Sequence, residues 1–323
     1  MMLPVLINAL VVFIIVISSI IYLKLAQKYN IVDNPNFRSS HTIPTIRGGG
    51  ILFFIAVLCY FVVSNFKAPY FVLGLSAIAL ISFLDDILTL SAKLRLPFQF
   101  LAVGLVLFQL HVFNMPWYVL TSAAIVGVAF VNVFNFMDGI NGITGLYSLA
   151  VLGGLLALNT IEQLAYTQLL SYVLAAVVVF GYYNFRKKAR MFAGDVGSIS
   201  LAVVILYVLL AIGLELQAPV LILLVAVYGI DGGLTILYRF YLKEQLMQAH
   251  RHHLYQKLVD VWQWSHLKVS AVYMSLQLAA VVVVLLTYKF SILAQVGVVV
   301  AGLVMLAVLY VVGFKATVKK LEV

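Results

Sequence analysis

Apolar runs of about the twenty residues that cross a bilayer as a helix recur along this chain. They fall at 3–23, 48–66, 69–87, 97–113, 115–134, 142–160, 165–184, 198–214, 218–239, 267–287 and 291–313. The pattern predicts an all-α integral membrane protein of about eleven transmembrane helices, forming one polytopic domain over 1–323. Connectors on alternating sides allow charge to test that count. Those near 24–47, 85–96, 132–142, 185–198 and 240–266, with their flanks and the C-terminal tail, hold all 20 Lys and Arg except Lys67 and Lys289. One missed span would scramble that division. By the positive-inside rule the charged side is cytoplasmic, which places the N-terminus outside and the C-terminus inside. No positive charge precedes the first run and no small-residue cleavage pattern follows it, so it reads as a retained span.

Composition agrees: at 64% hydrophobic and 10% charged, the chain has too much apolar surface for a soluble core. Its sole cysteine, Cys59, excludes a disulfide framework and a cysteine metal cluster. The acids add information that orientation does not need. All seven aspartates lie on or near the basic side, whereas the other side's connectors hold only Glu162 and Glu215. Aspartates at helix ends within a basic face point to chemistry on anions with a divalent cation.

The stretch Asn132-Val-Phe-Asn-Phe-Met-Asp138-Gly-Ile-Asn141-Gly closes one apolar run, opens the next and crowds polar groups between them. Its Asp-Gly and Asn-Gly pairs tolerate a sharp turn, which would aim the oxygens of Asn135, Asp138 and Asn141 one way. In the first connector Arg38, His41 and Arg47 precede Gly48-Gly49-Gly50, a sequence that lets backbone amides approach a phosphate or merely packs a span end. Asp85-Asp86 closes the third span, and like charges there call for a cation or a basic neighbour. Lys93 and Arg95 follow at headgroup level, suited to a lipid phosphate. The fourth connector carries Asn184, Phe192 and Gly194-Asp195-Val-Gly197-Ser198, where Asp195 is placed to meet a metal while amides at the helix start face an anion. In the fifth, His250-Arg251-His252-His253 suits a diphosphate better than zinc, because adjacent imidazoles rarely share one ion. Trp262 and Trp264 read as an interfacial belt. Asp231 lies about two turns inside the ninth span, and an acid there is a functional candidate.

In order and side, Asp85-Asp86, Asn132-x-x-Asn135-x-x-Asp138-Gly, Gly194-Asp195-x-Gly197-Ser198 and His250-Arg-His-His253 resemble the motifs of the polyprenyl-phosphate N-acetylhexosamine-1-phosphate transferases. That family is glycosyltransferase family 4. It includes the phospho-MurNAc-pentapeptide translocase and the initiating enzymes of O-antigen, enterobacterial common antigen and teichoic acid synthesis. The resemblance implies a Mg²⁺-dependent transfer from a UDP-N-acetylhexosamine to undecaprenyl phosphate in a bacterial inner membrane, with release of UMP. It makes Asp195 the metal ligand and Asp85 the partner, and candidate base, of the lipid phosphate. Asp86 and Asp138 complete the catalytic surroundings. Asn135, Asn141, Asn184, Phe192, Gly194, His250, Arg251, His252, His253, Arg38 and His41 fall to the donor, and Lys93 and Arg95 to the acceptor.

Three positions depart from the family's pattern. Asn141 stands where a second aspartate is usual, Arg186-Lys187-Lys188 replaces prolines, and the histidine cluster lacks a downstream acid. The form His-Arg-x-His-Leu-Tyr is closer to the surface-polysaccharide initiators than to the peptidoglycan enzyme. Oxygen ligands suit Mn²⁺ as well as Mg²⁺, membrane lipids are expected neighbours, lipid-facing surfaces are compatible with a homodimer, and nothing suggests nucleic acid. A secondary transporter of an anionic solute is the alternative, with Asp231 its best support.

Overall fold

The computed structural model describes residues 2–35, 43–88, 90–245 and 251–321. Arg38, His41 and His250 lie outside the described residues. Helices form at every predicted span: α1 Met2–Lys28, α2 Ile51–Val63, α3 Pro69–Leu88, α4 Ala92–Gln109, α5 Trp117–Phe136, α6 Ile143–Ile161, α7 Thr167–Asn184 and α8 Gly194–Leu216. A 3₁₀ segment, Pro219–Val225, leads into α9 Ala226–Tyr241, followed by the short α10 Leu254–Asp260, then α11 His266–Thr287 and α12 Ile292–Leu321. Nine spans among the described residues are long and apolar enough to cross a membrane. The chain is an all-α integral membrane protein.

The expected connector boundaries shift in informative ways. Helix α3 continues through Asp85 and Asp86 to Leu88, and Lys93 and Arg95 fall in the first turn of α4. Asn132 and Asn135 belong to the end of α5, whereas Gly194 and Asp195 open α8. The residues expected in loops are therefore held on helix ends, which position side chains more tightly. The first connector pairs two short antiparallel strands, β1 Val32–Asp33 and β2 Thr45–Ile46, and Ile46 bridges to Met191 of the fourth.

Helix α8 forms the centre of the bundle. Every residue from Val196 to Val208 is buried, the mark of a helix surrounded on all sides. Lipid tails are as apolar as leucine, so close approach of small residues binds such helices. At Gly50 and Gly197 the backbones of α2 and α8 come so near that a Cβ on either would strike the other glycine's Cα. Outer helices α1 and α12 expose long apolar faces, including Leu6, Phe13, Val304 and Leu309.

Candidate active site

The five connectors expected to share a side meet at one end of the bundle. Gly49 and Gly50 donate their amides to the carbonyls of Phe192 (2.8 Å) and Ala193 (2.9 Å), and Phe192 donates back to Ile46 O at 2.8 Å. The triple glycine thus threads the first connector against the fourth. Its Gly49 and Gly50 amides are consumed there, contrary to the expectation that they would approach a phosphate.

Asp86 explains how α8 begins. Its side chain has no exposed surface; Oδ1 accepts the Asp195 amide (2.8 Å) and Oδ2 the Val196 amide (3.1 Å). The first amides of a helix have no intrahelical partner, and a carboxylate there satisfies them and opposes the dipole. Those amides, expected to face an anionic ligand, are therefore capped by the protein itself. Gly194 turns with φ +71° directly beneath, where a Cβ would collide with Asp86. Arg47 Nε completes the shell of Asp86 at 2.6 Å.

Asp85 faces the other way: Oδ1 accepts the Leu90 amide (2.5 Å) and Oδ2 pairs with Arg95 Nη1 (2.9 Å). Arg95 Nη1 also contacts Asp195, and Arg47 Nη2 reaches Asp195 Oδ1 at 3.2 Å. Three carboxylates thus share two guanidiniums. Asp195 is the member held by side-chain cations alone and the most exposed, at 15%. Among the described residues Arg95 Nε is buried without a hydrogen-bond partner. Lys93 is exposed on the same helix turn. Among the described residues no three His, Cys, Asp or Glu side chains are arranged to hold a metal ion. Mg²⁺ needs no such cage: it takes one or two carboxylates and completes its shell with water and phosphate oxygens. Asp195 with the adjoining Asp85 is a fitting pair.

The stretch 132–142 diverges from the common aim expected of it. Asn132 pairs with Gln99, Asn135 accepts from the Ser198 hydroxyl (2.7 Å), and Asp138 accepts from Thr144 (2.6 Å). Burial pushes the Asp138 carboxyl up to about 6, against the opposing effect of the Thr144 hydroxyl. Asn141 turns its amide to the carbonyls of Arg186 (3.0 Å) and Lys187 (3.1 Å). Asn184 uses both ends of its side chain, accepting the Gly142 amide (2.7 Å) and donating to Met191 O (2.9 Å). Both asparagines are buried, so they brace the third connector against the fourth rather than presenting to solvent. Phe192 is half-buried beside them.

Each described member of the basic cluster faces an acid from elsewhere. Arg251 forks onto Asp260 (3.0 and 2.7 Å), His252 Nε2 meets Glu244 (3.0 Å), and His253 Nδ1 meets Asp231 (3.1 Å). Sequence reasoning found Asp231 as a lone intramembrane acid but missed its partner and missed Glu244 and Asp260 altogether. The only available signal was the unexplained charge of Asp231.

The model of glycosyl transferase family 4 matches residues 68–213. The undecaprenyl-phosphate alpha-N-acetylglucosaminyl 1-phosphate transferase of Yersinia pestis is 31% identical over 212 residues, covering 58% of this chain and 57% of that protein. The enzyme of the same description from Escherichia coli K12 is 28% identical over 217 residues, 58% and 56% of the two chains. A phospho-N-acetylmuramoyl-pentapeptide-transferase of Streptococcus equi is 29% identical over 245 residues, 64% and 71%. The matches to the first two relatives span little more than half of their length. The segment 68–213 contains the paired aspartates, the Asn132–Asp138 stretch and the Gly194–Ser198 helix start, and over that segment this chain is similar to glycosyl transferase family 4.

Proposed function

We propose that this protein transfers an N-acetylhexosamine 1-phosphate from a UDP-sugar to undecaprenyl phosphate at the cytoplasmic face of a bacterial inner membrane. The reaction releases UMP and leaves a lipid-linked sugar diphosphate that starts a surface glycan. One observation carries the reading. Asp85, Asp86 and Asp195 share Arg47 and Arg95 at the meeting point of the connectors, and all but Arg47 lie in the segment matched by the family model.

Phosphoryl transfer asks mainly for charge neutralisation and in-line placement, and each residue contributes to these. Asp195 and Asp85 would hold Mg²⁺, which neutralises the diphosphate and the developing charge on the leaving UMP. Arg95, with its unpartnered Nε, offers the acceptor phosphate a donor at the membrane surface, and Lys93 stands beside it. Asp85, adjoining Arg95, orients that phosphate and takes its proton. Asp86 keeps α8 capped so that Asp195 stays in place. The described basic residues Arg251, His252 and His253 face the donor diphosphate, and Phe192 offers a ring for the uracil to stack on. The alternative of a solute transporter loses its main support, because Asp231 is saturated by the protein's own donors.

The test is UMP release by the purified protein in detergent, given undecaprenyl phosphate, Mg²⁺ and single UDP-N-acetylhexosamines in turn. Lipid-dependent, EDTA-sensitive UMP with one donor supports the reading and identifies the sugar. Silence with every donor, from folded protein, refutes it.

A further inference from the structure

The fifth connector is seated on a single carboxylate inside the bundle. Asp231 is 2% exposed. Its oxygens accept from His253 Nδ1 (3.1 Å), the amides of Leu254 (3.2 Å) and Tyr255 (3.4 Å), the Thr235 hydroxyl (3.3 Å) and the Tyr273 hydroxyl. These donors come from α9 itself, from α11 and from the connector. A carboxylate has about four lone-pair sites, so five donors fill it. An acid within a span is costly unless compensated in this way.

Two consequences reach the candidate site. An ionised carboxylate only accepts, so the His253 proton on that side sits on Nδ1, which fixes the tautomer and the ring plane. Tyr255, held by its amide to the same carboxylate, stacks on His253 with centroids 5.5 Å apart and donates its hydroxyl to Phe136 O at 3.1 Å. Phe136 lies two residues before Asp138, and the Tyr255 hydroxyl fills the space a side chain on Gly139 would need. One carboxylate therefore sets both the histidine and the contact between the fifth connector and the third.

We propose that Asp231 is a positioning residue of the active site: it acts through His253 and Tyr255 to present the imidazole to the donor's diphosphate. The ligand named here rests on the transferase reading above; the seat itself does not.

The test compares full-length wild type, Asp231→Asn, His253→Asn and the double variant. Asp231→Asn is expected to lower kcat/KM for the UDP-sugar by about 10–100-fold, as misplacing a reacting group does. KM for undecaprenyl phosphate stays within about twofold. In the His253→Asn background the same change adds less than about threefold, the non-additivity of two residues acting as one. Additive losses, or equal damage to both substrates, overturn the proposal, because a general loosening of the fold would produce them. Hydrogen exchange of a peptide covering 251–260 supplies a readout free of activity. The Leu254 and Tyr255 amides should lose protection in Asp231→Asn, and unchanged protection overturns the seat even if no donor is ever turned over. Should Asp231→Asn fail to insert, Tyr255→Phe deletes only the hydroxyl to Phe136. It should lower donor kcat/KM at least about threefold with acceptor KM unchanged, and wild-type donor kinetics would overturn the proposal. No UMP from wild type, with exchange behaving as expected, refutes the transferase reading and leaves the seat standing.

Discussion

Replacing Asp86 by asparagine separates a residue that builds the site from one that works in it. The Asp86 carboxylate caps two amides of α8 and pairs with Arg47 at 2.6 Å, with no exposed surface. Asparagine keeps one acceptor oxygen and turns an NH₂ toward the other donors. One helix amide loses its cap, at about 1 kcal/mol. Arg47 loses one of its two carboxylates but keeps Asp195, and charged hydrogen bonds of this kind are worth about 1.5–3 kcal/mol. The sum is about 2–4 kcal/mol. At roughly 2 °C per kcal/mol for a chain of this size, the melting temperature in detergent falls by about 4–8 °C. Turnover drops by about 100-fold, because Asp195 is carried on the turn that Asp86 pins and a displacement near 1 Å has that effect. Asp195→Asn is the control. Its side chain is the most exposed of the three and meets Arg47 and Arg95 rather than helix amides, so melting falls less than in Asp86→Asn while UMP release is abolished. The comparison reads melting by fluorescence of the buried aromatics and turnover by UMP release. Wild-type melting of Asp86→Asn, or equal melting losses in both variants, would falsify the assignment of Asp86 as the α8 cap.

Asp85→Asn should likewise abolish UMP release with insertion intact; retained transfer would remove Asp85 from the acceptor's phosphate. Asn141→Asp sets a carboxylate against the carbonyls of Arg186 and Lys187. Melting should fall, by an amount matching about 1–3 kcal/mol for each donor lost, and donor affinity should change with it. Asp138 titrates near 6, so activity that needs its carboxylate falls as pH drops through 6, and Asp138→Asn should remove that limb from the pH–rate profile. The sign for stability is opposite. A carboxyl raised above its unfolded value near 3.9 contributes stability below that value and loses it as pH rises through 6, so Asp138→Asn should flatten melting over that range. Gly50→Ala drives a methyl into Gly197 and should cost about 1–3 kcal/mol of overpacking, seen as lower melting and weaker turnover together.

Much of the architecture was legible because hydrocarbon imposes a single rule on every span. Apolar length and the placement of Lys and Arg led to helices at all eleven expected positions, and three of the four short motifs fall in the segment that the family model matches. The boundaries were not legible. Apolarity ends before the helix does, so Asn135 and Asp195 read as loop residues although they sit on helix ends. Polar partners were the larger gap. Asn184 and Asn141 resembled ligands for a nucleotide, yet their hydrogen bonds go to backbone groups of other connectors.

Sequence by itself determined a polytopic helical membrane protein and the connectors in which most of its Lys and Arg gather. Hydropathy and charge act on each segment independently of its neighbours, which is why one dimension suffices for them. Only the tertiary structure decided which aspartate caps a helix and which meets side-chain cations, and that Asp231 is the seat of the histidine connector. A carboxylate's role is set by the donors within about 3 Å of it. Those donors come from residues distant in the chain: Asp195 and Val196 for Asp86, and Leu254, Tyr255 and Tyr273 for Asp231.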